Sequence, residues 1–534
     1  LICTSGTAPA HYYPAVIEAS QSHLPLLVLS ADRPLELMDC EAAQTIDQTR
    51  LFGSYVRTFM ELGGADEEPA ALRGLRRRVA QAVACALGPD PGPVHLNVRA
   101  RKPLEPQAPS NDEGAELHTR VSQLLAEPLH LPPQFPVTLG AEGMKALGER
   151  IAAEAHGLIV VGPLPAHQTP LLQGLFTLAW RLGYPILLES TSQLRLSLPR
   201  RLEGVVVVDA GEHLLREVMV RESLRPGLIL QVGGLPTSGA YDAWMGQLPG
   251  LVRVVLSATG WTDPFSSATQ VIQAPLAAGL DALLRELEDR TCLTDPVWKE
   301  TWEKLNQGVW QALESLLEPA EGPLLEAVAV RSVVEALPDG TALLLGNSLP
   351  IREVDLYARA RQGLGPILSQ RGANGIDGLI AGAVGASHRL KKPLVALLGD
   401  VTFLHDAMSL SLLATVQAPL VVVVINNGGG RIFELLPVAR VPSLVGEALK
   451  YWTTPPSVQL DKLVEAFGLT HRRVEQVGSL TRTLKAALKK NEGMVLEVVV
   501  DGTQTAAFSG RCRTQVSQAL LEPVQRWLMR ASSP

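Results

Sequence analysis

The chain has 534 residues, of which 46% are hydrophobic and 19% charged, and its formal net charge is −7 at pH 7. This length predicts two or three domains, and this composition is typical of a folded α/β protein and excludes a largely disordered chain. The acidic balance and the lack of a concentrated basic run argue against nucleic acid as the main partner. Apolar runs such as Leu420 to Ile425 are far shorter than the ~20 residues of a membrane span, so we expect no membrane span.

Cysteine and histidine spacing indicates neither a zinc site nor a disulfide framework. The five cysteines form no Cys-x-x-Cys pair, and the eleven histidines show no His-x-x-x-His spacing. We therefore expect a reducing compartment and a cytoplasmic location. The chain starts inside an apparent strand, Leu1 to Thr4, which predicts that one or more βα units of ~30 residues precede it. A targeting segment cannot be read from such a start.

The first part of the chain alternates between helical and extended patterns, as α/β proteins do. Its predicted elements are a helix over Tyr13–Ser20, a strand over Leu26–Ser30, a helix over Ala70–Ala86 and a strand over Pro93–Val98. From residue 101 to residue 136 the composition shifts to prolines and charged residues. This shift predicts a linker, with one short helix near Arg120–Ala126.

A second α/β set follows this linker and contains no dense polar cluster. Its predicted elements are strands over Gly157–Val161, Gly204–Asp209, Gly227–Val232 and Leu251–Leu256 and helices over Leu171–Leu182 and Val297–Leu317. The last helix ends at Glu318-Pro319, and a third unit starts near Pro323. We predict three successive α/β domains with mainly parallel sheets, over residues 1–115, 116–322 and 323–534.

The third unit contains two polar clusters, each placed where a buried strand ends. An apolar run from Pro393 leads into Gly399-Asp400, and another from Pro419 leads into the Asn-Asn-Gly-Gly-Gly segment that starts at Asn426. Between them, residues 404–415 have helical spacing, so a crossover would place Asp400 beside Asn427. Carboxylate, amide and backbone oxygens suit Mg²⁺, which often binds a substrate or cofactor diphosphate as well. A lone Gly-Asp more often opens a turn, but the order, the strand context and the separation (427 − 400 = 27 residues) favour a metal site.

These two clusters resemble the signature of thiamine-diphosphate enzymes, which begins with Gly-Asp and ends with Asn-Asn. The chain more closely resembles the MenD family, whose members make 2-succinyl-5-enolpyruvyl-6-hydroxy-3-cyclohexene-1-carboxylate (SEPHCHC) in menaquinone or phylloquinone biosynthesis. Further segments that resemble this family, in its order, are Ala31-Asp32-Arg33-Pro34, Asp39-Cys40 to Gln44, Leu345-Gly346-Asn347-Ser348 with Arg352, Ser369 to Gly378, and Ile432 to Pro437. The resemblance therefore extends over nearly the whole chain. It implies a first domain of pyrimidine-binding type, a central domain and a domain that binds diphosphate and metal.

The resemblance also implies which residues hold the cofactor, thiamine diphosphate, and its Mg²⁺ or Mn²⁺ ion. The metal ligands would be the side chains of Asp400 and Asn427 and the carbonyl of Gly429. The cofactor would contact Gly372, Asn374, Gly375, Ile376, Gly399 and Ile432. Ile376 would hold the cofactor bent, as bulky apolar residues do in such enzymes, although a lone isoleucine is more often an ordinary core residue. Gln44 matches a family glutamine near the reacting acceptor.

The family's substrates, 2-oxoglutarate and isochorismate, are both multiply anionic, so their site needs guanidinium groups. The residues implied to contact them are Arg33, Ser348, Arg352, Arg371, Phe433 and Leu436, the last two as an apolar wall. The implied reaction decarboxylates 2-oxoglutarate and adds its succinyl-semialdehyde unit to isochorismate. In such enzymes the cofactor lies between the first domain of one subunit and the third of another, which implies a homodimer or homotetramer.

The chain departs from the family pattern at several points. Val401 stands where most thiamine enzymes have a second glycine, and Gly239 in Thr237-Ser238-Gly239-Ala240 stands where the family usually has a basic residue. The glutamate that activates the cofactor, and a substrate-contacting Ser-Arg pair, would precede Thr4 and are not in this sequence. We therefore expect cofactor binding with very weak synthase activity from the 534 residues alone.

Three alternatives remain open from the sequence. The chain could be another thiamine-dependent decarboxylase or carboligase, such as an acetolactate synthase, although Val401 and the arginine set argue against it. It could also be a homologue that binds the cofactor without turning it over, as Gly239 would suggest. A plain nucleotide-binding protein is less well supported, because no Gly-x-Gly-x-x-Gly or Gly-Lys-Ser/Thr loop occurs.

Overall fold

The computed structural model describes residues 1–64, 66–105, 108–128, 131, 140–167, 173–248, 250–319, 322–441 and 449–531. By its internal contacts the chain divides into two compact units, Leu1–Pro136 with Gln370–Asn374 and Val137–Ser369 with Gly375–Pro534. The first unit contains one sheet and the second contains two, and the paired strands of all three are parallel. Helices alternate with these strands, which confirms the predicted α/β class. The three domain boundaries stay a prediction.

The first unit is built on a four-stranded sheet. Its strands are β1 (Ile2–Cys3), β2 (Leu26–Asp32), β3 (Thr58–Glu61) and β4 (Pro93–Arg99). Its helices are α1 (Tyr13–Gln21), α2 (Pro69–Leu87) and α3 (Asp112–Ala126). The strand order is β1-β2-β4-β3. Two small apolar clusters pack on this sheet, one around Val16, Val28 and Phe52 and one around Val94 and Leu96.

Helix α3 is longer than the short helix predicted within the proline-rich segment. It begins eight residues earlier than predicted (120 − 112), at Asp112. The Asn111 side chain accepts a hydrogen bond from the Gly114 N–H (2.8 Å) and so caps the helix. Two acidic residues in the first turn, Asp112 and Glu113, add to that start signal. The linker composition obscured an ordinary N-terminal capping sequence.

The central sheet belongs to the second unit and has six strands. They are β5 (Gly157–Val161), β6 (Ile186–Leu188), β7 (Val207–Val208), β8 (Leu228–Val232), β9 (Val252–Ser257) and β10 (Gln270–Gln273). The accompanying helices are α4 (Ala141–Ala152), α5 (Gln173–Leu182), α6 (Gly211–Arg216), α7 (Val218–Ser223), α8 (Gly239–Met245), α9 (Leu276–Leu287) and α10 (Pro296–Leu317). The strand order is β10-β9-β8-β5-β6-β7. Helix α10 buries Trp298, Trp302 and Trp310 in the core.

The carboxy-terminal sheet, also in the second unit, has six further strands. They are β11 (Ala342–Leu345), β12 (Ile367–Ser369), β13 (Leu394–Gly399), β14 (Leu420–Asn426), β15 (Thr470–Val474) and β16 (Gly493–Val499). Its helices are α11 (Glu326–Ala336), α12 (Leu349–Tyr357), α13 (Leu379–Leu390), α14 (Asp400–His405), α15 (Leu410–Leu413), α16 (Lys450–Thr453), α17 (Leu460–Ala466), α18 (Val477–Ala487) and α19 (Thr505–Ala531). The strand order is β12-β11-β13-β14-β16-β15. Strands β13 and β14 are buried along their length, as their apolar runs predict.

The helix predicted over residues 404–415 is broken into short pieces. Helix α14 starts at Asp400, a 3₁₀ helix covers Ala407–Ser409, and α15 follows. Asp406 lies at the break, where its carboxylate accepts hydrogen bonds from the Ile380 and Ala381 N–H groups (2.7 and 3.0 Å). These bonds cap the start of α13. Asp406, which directly follows the last residue of α14, therefore also stabilises the first turn of α13.

Several shorter features complete the description of the chain. The 3₁₀ helices outside that break are Pro9–Tyr12, Leu35–Leu37, Gly53–Tyr55, Ser190–Ser192, Arg431–Leu435, Pro437–Arg440 and Gly502–Gln504. The predicted helix over Leu171–Leu182 is observed from Gln173, because residues 171 and 172 lie outside the described residues. In the part of the chain that the structure describes, no helix has the length and apolar character needed to cross a bilayer.

Candidate metal and cofactor site

The strand order of the carboxy-terminal sheet places a crevice where the polar clusters lie. Strand β11 pairs with β12 on one side and β13 on the other, so the chain changes direction across the sheet at this point. Ligands of open parallel sheets bind outside the carboxyl ends of strands at such a point. Asn347 and Ser348 follow β11, and Asp400 follows β13. Asn427 follows the neighbouring strand β14, whose Ile425 is in register with Gly399.

Asp400 is held in place by backbone N–H groups. Its carboxylate is buried, with Oδ1 accepting from the Val401 N–H and Oδ2 from the Gly429 N–H, both at 2.7 Å. Burial raises the pKa of Asp400, and these N–H donors act in the opposite direction. The bond to Gly429 brings the loop after β14 onto Asp400. The two predicted polar clusters therefore meet.

The Asn427 side chain shows how this site fits a cation. The residue is 7% exposed, and its Nδ2 donates to Glu326 Oε1 (2.9 Å). Its Oδ1 is buried, and no described residue donates a hydrogen bond to it. Leaving a buried amide oxygen unpaired costs about 1–3 kcal/mol, so native structures rarely do so without a reason. An oxygen ligand for a hard cation is such a reason, and the residues present fit Mg²⁺ or Mn²⁺.

Gly429 occupies a position that only glycine tolerates. Its φ is +127°, and an added Cβ would lie 2.4 Å from the Thr453 carbonyl oxygen. The Gly429 carbonyl accepts from the Arg431 N–H (2.8 Å), which leaves its second lone pair for another partner. Arg431 Nε also donates to the Asn427 carbonyl (3.1 Å). The loop backbone is thus fixed by its own hydrogen bonds.

The candidate metal site depends on neutral oxygen atoms as well as one carboxylate. Among the described residues, no group of three or more His, Cys, Asp or Glu side chains could hold a metal ion. Asp400 with the amide of Asn427 and a backbone carbonyl is a different ligand set, typical of a cation that keeps water and phosphate ligands. Its charge of −1 leaves much of the cation's charge for a bound diphosphate.

The loop after β11 brings other candidate residues together. Asn347 is 2% exposed, and its Nδ2 donates to the Gly375 carbonyl (2.7 Å). Ser348 has φ +73°, a strained conformation for a residue other than glycine, of the kind that is concentrated at functional sites. Its carbonyl accepts from Arg352 Nη1 (2.7 Å). Burial lowers the pKa of the Arg352 guanidinium, although the charge of Glu212 acts in the opposite direction.

The apolar candidates lie after the glycine loop. Ile432 and Phe433 belong to the 3₁₀ helix Arg431–Leu435 and are half-buried, and the Phe433 ring packs at 5.9 Å from that of Trp452. Leu436 is exposed, and Ile376 is half-buried. All four of these candidate side chains are at least partly exposed, so none of them belongs to a closed core.

The remaining candidates belong to the first unit. Gln44 has φ +59°, and its Nε2 donates to Thr4 Oγ1 (2.9 Å) and to the Ser5 carbonyl (3.1 Å). The Nε of Arg33 is buried, and no described residue accepts a hydrogen bond from it, while its carbonyl accepts from Arg99 Nη1 (2.8 Å). Both residues are held near the carboxyl ends of this sheet.

The segment from Gln370 to Asn374 is assigned to the first unit and contains Arg371. Gly372 and Ala373 donate their N–H groups to the two oxygens of Glu18, at 2.8 and 2.7 Å. A Cβ on Gly372 would lie 2.6 Å from Ser22 Oγ, so this glycine allows close contact with the end of α1. Asn374 has φ +59°. No sequence signal singled out Glu18, whose carboxylate fixes this turn.

The residues around Asn427 that sequence reasoning missed are Glu326, Arg431 and Thr505. Glu326 begins α11, and burial raises its pKa to about 7, against hydrogen bonds from Asn427 and Thr505 that lower it. In the sequence it stands alone before an apolar run, which is also typical of an acidic residue at a helix start. Asn347 lies inside a family-like segment, but the resemblance implied no role for it.

Gly239 stands where the family usually has a basic residue, and the structure leaves room for a Cβ atom there. This glycine is the first residue of α8, after the capping Ser238. No described heavy atom beyond its chain neighbours and its own helix backbone lies within 4 Å of an added Cβ. The backbone does not require glycine there, since no positive φ is recorded at this position.

Comparison with known proteins places the chain in a family. Residues 359–498 match the model of the thiamine pyrophosphate enzyme, C-terminal TPP binding domain. The SEPHCHC synthase of Sorangium cellulosum is 37% identical over 524 residues, covering 96% of this chain and 84% of that protein. The synthases of Geobacillus thermodenitrificans (34% identical, 97% and 85% covered) and Haloarcula marismortui (32%, 97% and 87%) are also similar. The chain, with its Gly-Asp and Asn-Asn clusters brought together at the edge of a parallel sheet, belongs to the SEPHCHC synthase family.

Proposed function

We propose that the chain is a SEPHCHC synthase, which decarboxylates 2-oxoglutarate and adds the succinyl-semialdehyde unit to isochorismate in menaquinone or phylloquinone biosynthesis. Besides family membership, one structural observation supports this proposal most strongly. Asn427 Oδ1 is buried and receives no hydrogen bond from a described residue, and the loop that carries it is bonded to Asp400 through the Gly429 N–H, at the edge where a parallel sheet binds ligands. Thiamine diphosphate, when bound, supplies the electron sink that decarboxylation of a 2-oxo acid needs.

Asp400, Asn427 and the Gly429 carbonyl would hold Mg²⁺ or Mn²⁺ against the cofactor diphosphate. Gly399 ends β13 beside this group, and Ile376, Gly375 and Ile432 would contact the cofactor itself. The Asn347 bond to the Gly375 carbonyl supports this assignment, because it ties the loop after β11 to the loop that carries Ile376. The role of these residues is to hold and orient the cofactor and to exclude water.

Arg352 and Ser348 would bind a substrate carboxylate. The Arg352 guanidinium is fixed by its bond to the Ser348 carbonyl, so little freedom is lost when an anion binds. Phe433 and Leu436 would supply the apolar wall. In the first unit, Arg33 and Arg371 would bind anions, Gly372 and Asn374 would contact the cofactor, and Gln44 would act near the acceptor.

We also propose an assembly of two or four copies and a cytoplasmic location. The assembly is supported by the family resemblance in the Gly-Asp and Asn-Asn segments. The location is supported by the cysteines, because all five lie within the described residues and carry free thiols.

Calorimetry and a coupled assay together test the proposal. Thiamine diphosphate should bind only when Mg²⁺ or Mn²⁺ is present, and 2-oxoglutarate should be the 2-oxo acid consumed together with isochorismate. Consumption of pyruvate in place of 2-oxoglutarate would overturn the substrate assignment. Failure to bind the cofactor with metal present would overturn the site.

A further inference from the structure

Glu326 is a buried carboxylate that faces the candidate metal ligand Asn427 from a different helix. It is 3% exposed and is the first residue of α11. Its Oε1 accepts from Asn427 Nδ2, and its Oε2 accepts from Thr505 Oγ1, both at 2.9 Å. Each oxygen therefore has a donor directed at it, and the carboxylate is held from two sides.

This contact decides which end of the Asn427 amide faces the crevice. An amide has a donor end and an acceptor end of nearly the same shape, and only the oxygen can bind a cation. Both Glu326 oxygens accept hydrogen bonds, Oε1 from Asn427 Nδ2 and Oε2 from Thr505 Oγ1, so the Asn427 NH₂ group faces Glu326. Oδ1 then points away from Glu326, where it is buried and receives no hydrogen bond from a described residue.

The neighbouring residue, Asn426, has an amide group that is hydrogen-bonded at both ends. Asn426 Nδ2 donates to Glu497 Oε1 (2.7 Å), and its Oδ1 accepts from the Gly428 N–H (3.3 Å). Both ends of that amide are thus used within the protein. Of two consecutive asparagines, each facing a buried glutamate, only Asn427 keeps its oxygen for another partner.

The backbone of the same loop is fixed by other residues. Arg431 Nε donates to the Asn427 carbonyl, and Asp400 accepts the Gly429 N–H. Because these bonds set the position of the loop, the remaining freedom is the rotation of the Asn427 side chain. Glu326 is the described residue that restricts it.

We infer that Glu326 is a positioning residue for the metal site, holding the Asn427 amide so that Oδ1 faces the cation. The inference rests on the proposed function, since it takes Asn427 as a metal ligand. Glu326 itself does not contact the cation. Partners that orient metal ligands in this way typically change metal affinity 10–100-fold when they are removed.

The test is Mg²⁺ titration of the full chain by calorimetry with saturating thiamine diphosphate. Glu326→Leu should weaken Mg²⁺ binding by about 10–100-fold. Glu326→Gln should stay within a few-fold of the unmodified protein, because its Oε1 can accept from Asn427 while its Nε2 donates to Thr505. Thr505→Val, a matched change on the other side of Glu326, should have a smaller effect than Glu326→Leu. Thermal unfolding without metal checks that each variant is folded.

A double-mutant cycle separates orientation from general support of the fold. An aspartate at position 427 presents an oxygen whichever way it rotates, so in the Asn427→Asp background Glu326→Leu should no longer weaken Mg²⁺ binding. The same loss in both backgrounds would overturn the inference, as would equal losses for Glu326→Gln and Glu326→Leu. If Asp400→Ala leaves Mg²⁺ binding unchanged, the proposed metal site itself is wrong, and the inference with it. If Asp400→Ala abolishes binding while Glu326→Leu does not weaken it, only the inference is wrong.

Discussion

The second unit contains two six-stranded parallel sheets, and the loops that follow their strands are arranged differently at the two crevices. In the central sheet the strand order reverses between β5 and β8, which is where a dinucleotide would bind. There the following loops pack on each other: Gly234 N–H donates to the Pro163 carbonyl (3.0 Å), and an added Cβ on Gly162 would lie 2.1 Å from the Gly234 oxygen. In the carboxy-terminal sheet, Asp400 and Asn427 occupy the corresponding edge.

The two sheets also differ in how their buried charges are compensated. Near the central sheet, Arg253 is paired with Asp263 (2.5 Å), and both side chains are almost fully buried. At the carboxy-terminal crevice, the hydrogen-bond donors to Asp400 are neutral N–H groups. A carboxylate with neutral partners keeps its charge available for a cation, whereas an ion pair does not. The topology of a parallel sheet therefore offers a site, and the loop residues decide whether it is used.

The largest expected effect is the loss of the one charged metal ligand. Asp400→Ala should reduce Mg²⁺-dependent binding of thiamine diphosphate by more than ~10–100-fold, which is the loss typical when a residue that only orients a metal ligand is removed. Calorimetry with and without Mg²⁺ measures this. Unchanged binding would show that the difference between the two sheets does not concern metal.

Breaking the ion pair of the central region should lower the stability of the protein but leave its Mg²⁺ affinity unchanged. Asp263→Ala leaves Arg253 buried without its partner, which typically costs about 3–5 kcal/mol in the free energy of unfolding. Mg²⁺ affinity of the folded protein should stay the same. Denaturant unfolding and Mg²⁺ titration of the same sample separate the two effects, and a weakened Mg²⁺ affinity here would contradict the account.

A pair of glycine substitutions compares the two crevices directly. Gly162→Ala and Gly429→Ala each place a Cβ against a backbone oxygen, at 2.1 and 2.4 Å, and the second also strains a φ of +127°. The unfavourable φ at position 429 alone costs about 1–3 kcal/mol. Both variants should lower the melting temperature, but only Gly429→Ala should weaken Mg²⁺ binding. Equal metal affinities for the two variants would argue against a role for the glycine loop.

The central region should also carry an acid-sensitive group, His213 on α6. It is buried, with its Nε2 against the Leu356 carbonyl (2.9 Å), and burial lowers its pKa to about 3. An exposed histidine has a pKa of ~6.5, so between these values the unfolded chain binds the extra proton. The free energy of unfolding should therefore fall as the pH drops below about 6.5, by up to about 1.4 kcal/mol per pH unit. His213→Gln, which cannot titrate, should show a shallower decrease, and an identical slope would contradict this assignment.

The smallest effect is expected at Gly239. Because position 239 is exposed and an added Cβ meets open space there, Gly239→Arg should change the free energy of unfolding by less than about 0.5 kcal/mol. Denaturant unfolding checks this. A large loss of stability would mean that the position is more crowded than the structure shows.

Local patterns were sufficient to predict the strands that carry the site. The apolar runs before Asp400 and Asn426 are buried strands because both faces of this sheet are covered. Strand β15 was missed, since its Thr-His-Arg-Arg-Val sequence is half exposed and has no such run. Strand β12 has only three residues, too few to show a period.

The sequence predicts the metal ligands that follow adjacent strands, but it does not predict the residue that contacts them from a distant helix. Asp400 and Asn427 follow adjacent strands, so their order along the chain reveals their proximity. Glu326 is 101 residues away from Asn427 in sequence, and nothing local marks a contact between a helix start and a distant loop. The close packing of the Gly162 and Gly234 loops in the central sheet was equally hidden, because glycine-rich turns look alike before packing is known.

The most direct test of the central claim is Mn²⁺ binding, followed by electron paramagnetic resonance with and without thiamine diphosphate. The structure predicts one tightly bound Mn²⁺ per chain that requires the cofactor, and its loss in Asp400→Ala but not in Asp263→Ala. Mn²⁺ bound equally well by Asp400→Ala, or without any dependence on the cofactor, would contradict the account.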